Sequence, residues 1–379
     1  QIGAGIANVE FYDIGDAATA PGVVMGGTQD NGNVKTDGSS AAWDRKADCE
    51  SGDAATVDFD PVDERIVYLM GQYSNQVCRS DDGGNSSDAF DRGLPGDCFN
   101  LRFHVHPGTG TTLLAPCGNL YRTTTTGGAG DWKMLAVPVN NIVQSAVDAS
   151  VDLYYAGAGD GRLYAGPGGE NWRLVFDPRT GAGVTDIEVD ADDPATVYVS
   201  FDATGSKRVY RLRRASAVPD EMSGVDIALD LRDGVLVRAL AVDRNSPFTI
   251  YAGTTQSVFR GQSIDGGQTW QWSPYGYGLP LAVDISELEV HPTTGVMRAG
   301  THARSAYEVA TGPPIGSVLV AEGKVASIRV HDVGSGYGPP GDTIDGEVIV
   351  QLDTWPGRAF GFQLRNDGER APRLGMLKT

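Results

Sequence analysis

Apolar and polar residues alternate in short runs along most of this chain. Val57-Asp58-Phe59-Asp60, Phe103-His104-Val105-His106 and Leu288-Glu289-Val290-His291 each place an apolar side chain at every second position. A period of two marks half-buried β-strands, whose successive side chains face opposite ways. These strands end in Asp or His, at Asp60, His106, Asp148, Asp190, Asp243 and His291, and Pro often follows. Behind each comes a second, more continuous apolar run that flows into glycine. Val23-Val24-Met25-Gly26-Gly27, Leu153-Tyr154-Tyr155-Ala156-Gly157 and Ile250-Tyr251-Ala252-Gly253 are three of seven such runs. Their β-branched and aromatic residues, bounded by Gly, predict strands. With Asn8 to Asp13 as a looser first copy, the plan repeats seven times. The spacing is about 40 residues, the length of a four-stranded unit.

A recurrent turn sits where the third strand of a unit should meet the fourth. Its full form is Ser263-Ile264-Asp265-Gly266-Gly267-Gln268-Thr269-Trp270. Gly permits the positive φ of a tight hairpin, Asp accepts the turn N–H groups, and Trp packs back under the turn. Ser80-Asp81-Asp82-Gly83-Gly84-Asn85-Ser86 keeps the turn without the Trp. Thr126-Gly127-Gly128-Ala129-Gly130-Asp131-Trp132 and Pro167-Gly168-Gly169-Glu170-Asn171-Trp172 keep Gly and Trp without the Asp. The seventh unit, Ile285 to Val309, lacks a fourth strand, which residues 1–6 or the C-terminal segment are expected to supply. At Gly312-Pro313-Pro314 the repeat stops. The expected organisation is a repeat domain over 1–311 and a small β-rich domain over 312–379. Strands are expected there near Val318–Val320, Val325–Val330, Glu347–Leu352 and Phe360–Leu364, and a helix from Glu369 to Leu377.

Charge and cysteines narrow the setting. Asp and Glu outnumber Lys and Arg by 49 to 30, a net charge of −19, which excludes nucleic acid or an anionic membrane as the main partner. No apolar run approaches the roughly 20 residues of a membrane span, which speaks against direct membrane insertion. The chain starts at Gln1, which reads as a processed form or an excerpt. The four cysteines, Cys49, Cys78, Cys98 and Cys117, fall in one early stretch. An even, clustered set predicts two disulfides and an extracellular, cell-surface or periplasmic location. Of the three possible connectivities, repeat symmetry favours Cys49–Cys78 and Cys98–Cys117.

With these residues in view, positions 1–311 resemble the WD40/YVTN/BNR-like repeat proteins, the Asp-box, sialidase-type β-propellers. Gly27-Thr28-Gln29-Asp30-Asn31-Gly32 is similar to their early-blade motif, and Gly300-Thr301-His302-Ala303-Arg304-Ser305 to that of their last blade. The resemblance implies an all-β fold, a seven-bladed propeller with Asp-box turns at Ser263, Asp265, Gly267, Thr269 and Trp270. The family's early Arg-Ile-Pro element is missing, which speaks against sialidase activity.

In such a ring the loops between second and third strands gather at one mouth of the central channel. They carry Gln29, Asp30 and Asn31, then Tyr73, Ser74 and Asn75, then Asp160 and Arg162, Thr255 and Gln256, and His302 and Arg304. Tyr275 and Tyr277 lie in a connection on the same face and could stack on sugars or anchor a protein. The leading expectation is a secreted or cell-surface interaction module that binds a protein or glycan through these loops, with assembly through the C-terminal domain. The alternative is a glycoside hydrolase, for which Asp30 and Asp160 are the candidate carboxylates. No cofactor is predicted. Asp190, Asp192 and Asp193 could hold Ca²⁺ but match no EF-hand spacing. His104 and His106 could form a metal pair, although His106 occupies a strand-end position that Asp fills in other repeats, where a turn cap is expected.

Overall fold

The computed structural model describes residues 9–311, except 40–41, 48, 50–51, 125–129, 218–219, 245, 264, 276–278 and 281. Beyond residue 311 it describes the backbone of five strands. The chain divides into two compact units, Gln1–Thr311 and Gly312–Thr379.

Unit 1 holds seven antiparallel sheets, six of four strands and one of three, each in chain order. The first strands, Phe11–Asp16, Ala54–Phe59, His104–Val105, Ile142–Asp148, Val184–Val189, Val237–Val242 and Ile285–Val290, line one central cavity. The unit is a seven-bladed β-propeller. Its second strands are buried on both faces, as in Val67–Gly71, Leu153–Ala158 and Thr249–Thr254. Neighbouring blades cover both sides, so these strands read as continuous apolar runs. Outer strands such as Asp44–Arg45 and Lys133–Met134 are short and exposed.

Blade packing explains the glycines in the second strands. A Cβ on Gly27 would stand 2.5 Å from the Ala55 carbonyl oxygen of the next blade, and one on Gly157 would stand 2.7 Å from Val184 Cγ1. Blade 7 closes on blade 1 through Arg298, which pairs with Asp16 and, at 3.1 Å, with Glu308. His291 Nε2 lies 3.3 Å from the Ala17 carbonyl oxygen, and Ser305 N donates to Val9 O at 2.8 Å. Among the described residues blade 7 has three strands, Ile285–Val290, Val296–Thr301 and Ala306–Ala310. Residues 1–6, expected to complete it, lie outside the described residues.

The strand-end residues act as turn caps. Asp60 Oδ1 accepts Val62 N and Asp63 N, Asp190 Oδ1 accepts Asp192 N and Asp193 N, and His106 Nδ1 accepts Gly108 N. His291 Nδ1 likewise accepts Thr293 N and Thr294 N. Asp243 instead accepts the Tyr251 hydroxyl at 2.9 Å. In the turn at Ser263, Asp265 Oδ1 accepts Gln268 N and Thr269 N while Oδ2 accepts the Thr269 hydroxyl. Gly266 and Gly267 take φ values of 74° and 88°. Trp270 Nε1 donates to Gly267 O, and its ring meets Tyr198 of blade 5 at 5.9 Å. Ser80 and Asp82 build the same turn in blade 2.

In unit 2, Ile315–Ala321 pairs with Lys324–Asp332, and Phe360–Arg365 lies between Glu347–Val350 and Arg373–Met376. The helix expected from Glu369 is corrected to this last strand. Pro372 precedes it and Gly375 falls within it, both poor helix residues, and the adjacent strand supplies its hydrogen bonds.

The close blade contact yields a test. Gly27→Ala should destabilise the protein by about 1–3 kcal/mol, because backbone must move to admit the methyl group. Gly205→Ala, with nothing within 4 Å, should be near neutral. Urea unfolding of both variants decides; equal midpoints would remove the packing explanation.

Candidate functional site

The loops between second and third strands gather into one polar cluster and several separate positions. Asp30, at φ 61°, donates its N–H to Asp53 Oδ1 at 2.7 Å, and Gln72 Nε2 donates to Asp53 Oδ2 at 3.0 Å. The Tyr12 hydroxyl donates to Gln29 Oε1 at 3.1 Å. His302 Nδ1 lies 3.0 Å from Glu10 Oε1, with its ring edge-on to Tyr12. Asn31 turns back onto the Gln29 carbonyl. Gln29, Asp30, Asn31 and His302 thus share one cluster across blades 7, 1 and 2. Burial, followed by the charges of Glu10, Asp53 and Asp30, raises the Tyr12 hydroxyl above its ordinary pKa.

Asp160 and Arg162 sit apart on blade 4, locked in an ion pair. The Arg162 hydrogen bond holds the Asp160 carboxyl below its ordinary pKa. Asp30 and Asp160 lie on hairpins three blades apart. The Gln256 N–H donates to Thr254 Oγ1 within its own turn. Arg304 is exposed and reaches the Ala303 carbonyl. Tyr275 packs against Tyr251 at 4.9 Å and under Arg260, and is half-buried. Tyr277 lies outside the described residues. The Asp190 carboxylate caps its turn, and Asp193 engages Arg213 and Thr196 at 2.5 and 2.9 Å, so these two point at donors already present.

Two disulfides, Cys49–Cys78 and Cys98–Cys117, each with 5.8 Å between Cα atoms, brace the mouth at blades 2 and 3. The pairing is the one that repeat symmetry favours. Beside them an aromatic pair stands in solvent. Tyr73 and Phe99 are 42% and 55% exposed, with ring centroids 5.6 Å apart. Sequence reasoning reached the Tyr73 loop but missed Phe99; an aromatic between Cys98 and Asn100 in a blade connection was the available signal.

It also missed the channel. The first strands enclose a cavity of about 250 Å³ lined by Asp13, Asp58, Asp186, Glu188, Glu287 and Glu289. Three of these carboxylates stitch blades together. Asp13 takes Ile14 N and the next blade's Val57 N, Asp58 takes Phe59 N and Val105 N, and Asp186 takes Ile187 N and Leu240 N. Gln144 Nε2 makes a related link to Thr185 O at 2.7 Å. β-Bulges at Asp13, Gln144, Asp186 and Glu287 break the strand register where these side chains turn toward the axis. Arg102 of blade 3 reaches blade 7, pairing with Glu287 and donating to Ser286 O at 2.6 Å.

Several of these side chains keep accessible surface within the cavity, yet protein surrounds them. Burial is the main cause that pushes Asp58 and Asp186 up to about 7 and Glu188 to about 8. Asp13 and Glu289 are raised well above the usual range by burial and by the charge of Glu287. Burial, with Arg102 adding, pushes His104 down to about 4. Alternating acids in Ile187-Glu188-Val189 and Leu288-Glu289-Val290 were the signal, but alternation alone reads as a solvent-facing strand.

No protein-family model matches the chain, and no curated protein sequence does. Solved structures share its fold. An ancestral GH74 enzyme has a TM-score of 0.62 and 13% identity, over 95% of this chain and 50% of that one. The GH74 enzyme of Niastella koreensis gives 0.62 and 16%, over 98% of this chain and 59% of that one. YCF48 from Cyanidioschyzon merolae gives 0.57 and 16%, over 79% of this chain and 94% of that one. At these identities the likeness is one of fold, and this chain spans half of one GH74 enzyme and 59% of the other.

The channel acids predict a pH dependence. Their raised pKa values mean that the folded protein binds more protons than the unfolded chain between about pH 4 and 8, so stability should fall as pH rises through that window. Thermal melts should be higher at pH 5.5 than at pH 8.5. Glu289→Gln should add about 1–3 kcal/mol at pH 8.5 and much less at pH 5.5. A melting temperature that climbs from pH 5.5 to 8.5 would contradict the channel assignment.

Proposed function

We propose that this chain is a secreted or cell-surface binding module of Asp-box propeller type that engages a glycan or protein partner at the mouth of its channel. One observation carries the reading: the exposed Tyr73–Phe99 pair, held on loops that two disulfides brace. Rigid, solvent-exposed aromatics on a braced rim are the composition of binding hot spots. The disulfides support an oxidising compartment. Among fold neighbours, one YCF48 structure is described as bound to D1 peptide, which supports a protein partner for a propeller of this kind.

The hydrolase reading has less support. A glycosidase needs two carboxyl groups about 5–9.5 Å apart. Asp160 is committed to Arg162, and Asp30 stands on a hairpin three blades away. In the channel, Asp13, Asp58 and Asp186 are stitched to backbone N–H groups, and Arg102 crosses the cavity to Glu287.

A polysaccharide panel, scored for both retention and release of reducing ends, tests the reading. Retention without release is expected, with Cys98→Ser/Cys117→Ser weakening it while far-UV circular dichroism stays unchanged. Release of reducing ends that disappears in Asp30→Asn or Asp160→Asn would make the protein an enzyme and overturn the module.

A further inference from the structure

We infer that Tyr73 and Phe99 form a stacking platform for the apolar face of an uncharged sugar ring, an inference that rests on the binding-module reading and names its ligand class. The frame comes first. Tyr73 and Phe99 form an antiparallel bridge, flanked by Ser74 N to Cys98 O at 2.9 Å and Asn100 N to Gln72 O at 3.1 Å. Ser74 is fully buried, and its hydroxyl accepts Cys98 N at 3.1 Å while bonding to Pro95 O. Cys98 is tied to Cys117, and Cys78, on the strand that follows Tyr73, to Cys49. This frame fixes the backbone from which both rings project. Water disfavours exposed apolar rings, so a rigid display of two of them marks a surface built for contact.

The surroundings choose the ligand. Within residues 72–77 and 95–100 the large exposed apolar side chains are these two rings. Val62, Met134, Leu174 and Val225 are exposed on turns and outer strands, and Val143 on the first strand of blade 4. A protein hot spot needs a wider apolar core than this. Residues 72–77 and 95–100 contain no Lys or Arg and a single acid, Asp97. An anionic ligand would find no counter-charge on these loops and a protein of net charge −19 around them. What flanks the rings is Asn75, Asp97 and Asn100, whose amides and carboxylate suit hydroxyl groups. The ring planes meet at 65°, so one ring offers its face to a pyranose while the other borders it.

The test uses neutral hexasaccharides of β-glucan, xylan, mannan and galactan, with oligogalacturonate as the charged counterpart. Binding is measured by calorimetry and by saturation transfer from aromatic protons. At least one neutral oligosaccharide is expected to bind. Phe99→Ala and Tyr73→Ala should each weaken it about five- to ten-fold, Tyr73→Phe should retain it, and Val62→Ala should leave it unchanged. Unaltered melting temperatures and near-ultraviolet circular dichroism would show that the variants fold. Neutral binding that survives both alanine substitutions overturns the platform but leaves the module. Silence across the whole panel also overturns the platform and leaves the module with a protein partner. Oligogalacturonate binding as tightly as the neutral sugars overturns the uncharged assignment. Sugar turnover lost in Asp30→Asn or Asp160→Asn overturns the module itself.

Discussion

The ring depends on one recurring bond: a carboxylate on a first strand accepting a backbone N–H from the first strand of the next blade. Asp13 does this toward Val57, Asp58 toward Val105 and Asp186 toward Leu240. Backbone pairing between blades is sparse, as in the single Gly118–Ile142 bridge between blades 3 and 4, so these bonds help fix how one sheet meets the next at the axis. The arrangement is expensive. Carboxylates brought together around a narrow cavity lose hydration and repel one another, and the local answer is to hold protons near neutral pH. Arg102 offsets part of the cost by crossing from blade 3 to Glu287. Blade 3 has the shortest first strand, His104–Val105, and so is the blade with most need of an anchor across the axis.

That construction limits where a ligand can go. Asp13, Asp58, Asp186 and Glu287 already hold backbone donors, and the Arg102 side chain spans the axis between blades 3 and 7. Contact with a partner therefore falls to the loops at the mouth. Even there most polar groups serve the fold: Asp53 holds the Asp30 and Gln72 loops together, and Asp160 holds Arg162. The Tyr73–Phe99 rings are different, because no part of the described rim covers them.

Much of the ring was legible in the sequence because each blade repeats the same local solution. Asp60, Asp190 and His291 stand at one repeat position and make one kind of turn cap, so a pattern seen several times predicts the rest. The disulfide pairing followed from the same symmetry. The channel was not legible. Glu188 and Glu289 read as the wet face of an alternating strand, and only closure of seven such faces onto one axis turns that face inward. Phe99 was missed because its exposure comes from pairing between two loops 26 positions apart, Tyr73 and Phe99, which no local pattern encodes. At Arg373–Met376 the local reading failed for a related reason, since a ladder partner decided between strand and helix.

The chain's acid excess therefore carries less functional information than its size suggests. The same side chain caps strand ends at Asp60, closes hairpin turns at Asp82 and Asp265, and links blades at Asp13, Asp58 and Asp186. Each role uses the carboxylate as an acceptor for backbone N–H groups, which any all-β ring of short strands and tight turns has in surplus. An acid found at a rim or in the channel of such a protein has a structural explanation before a catalytic one. The informative residues are those the architecture does not require. No turn, ladder or blade contact needs Phe99 in water, and it is there, braced by a disulfide at the adjacent residue. Function is better sought at that exception than among the abundant carboxylates.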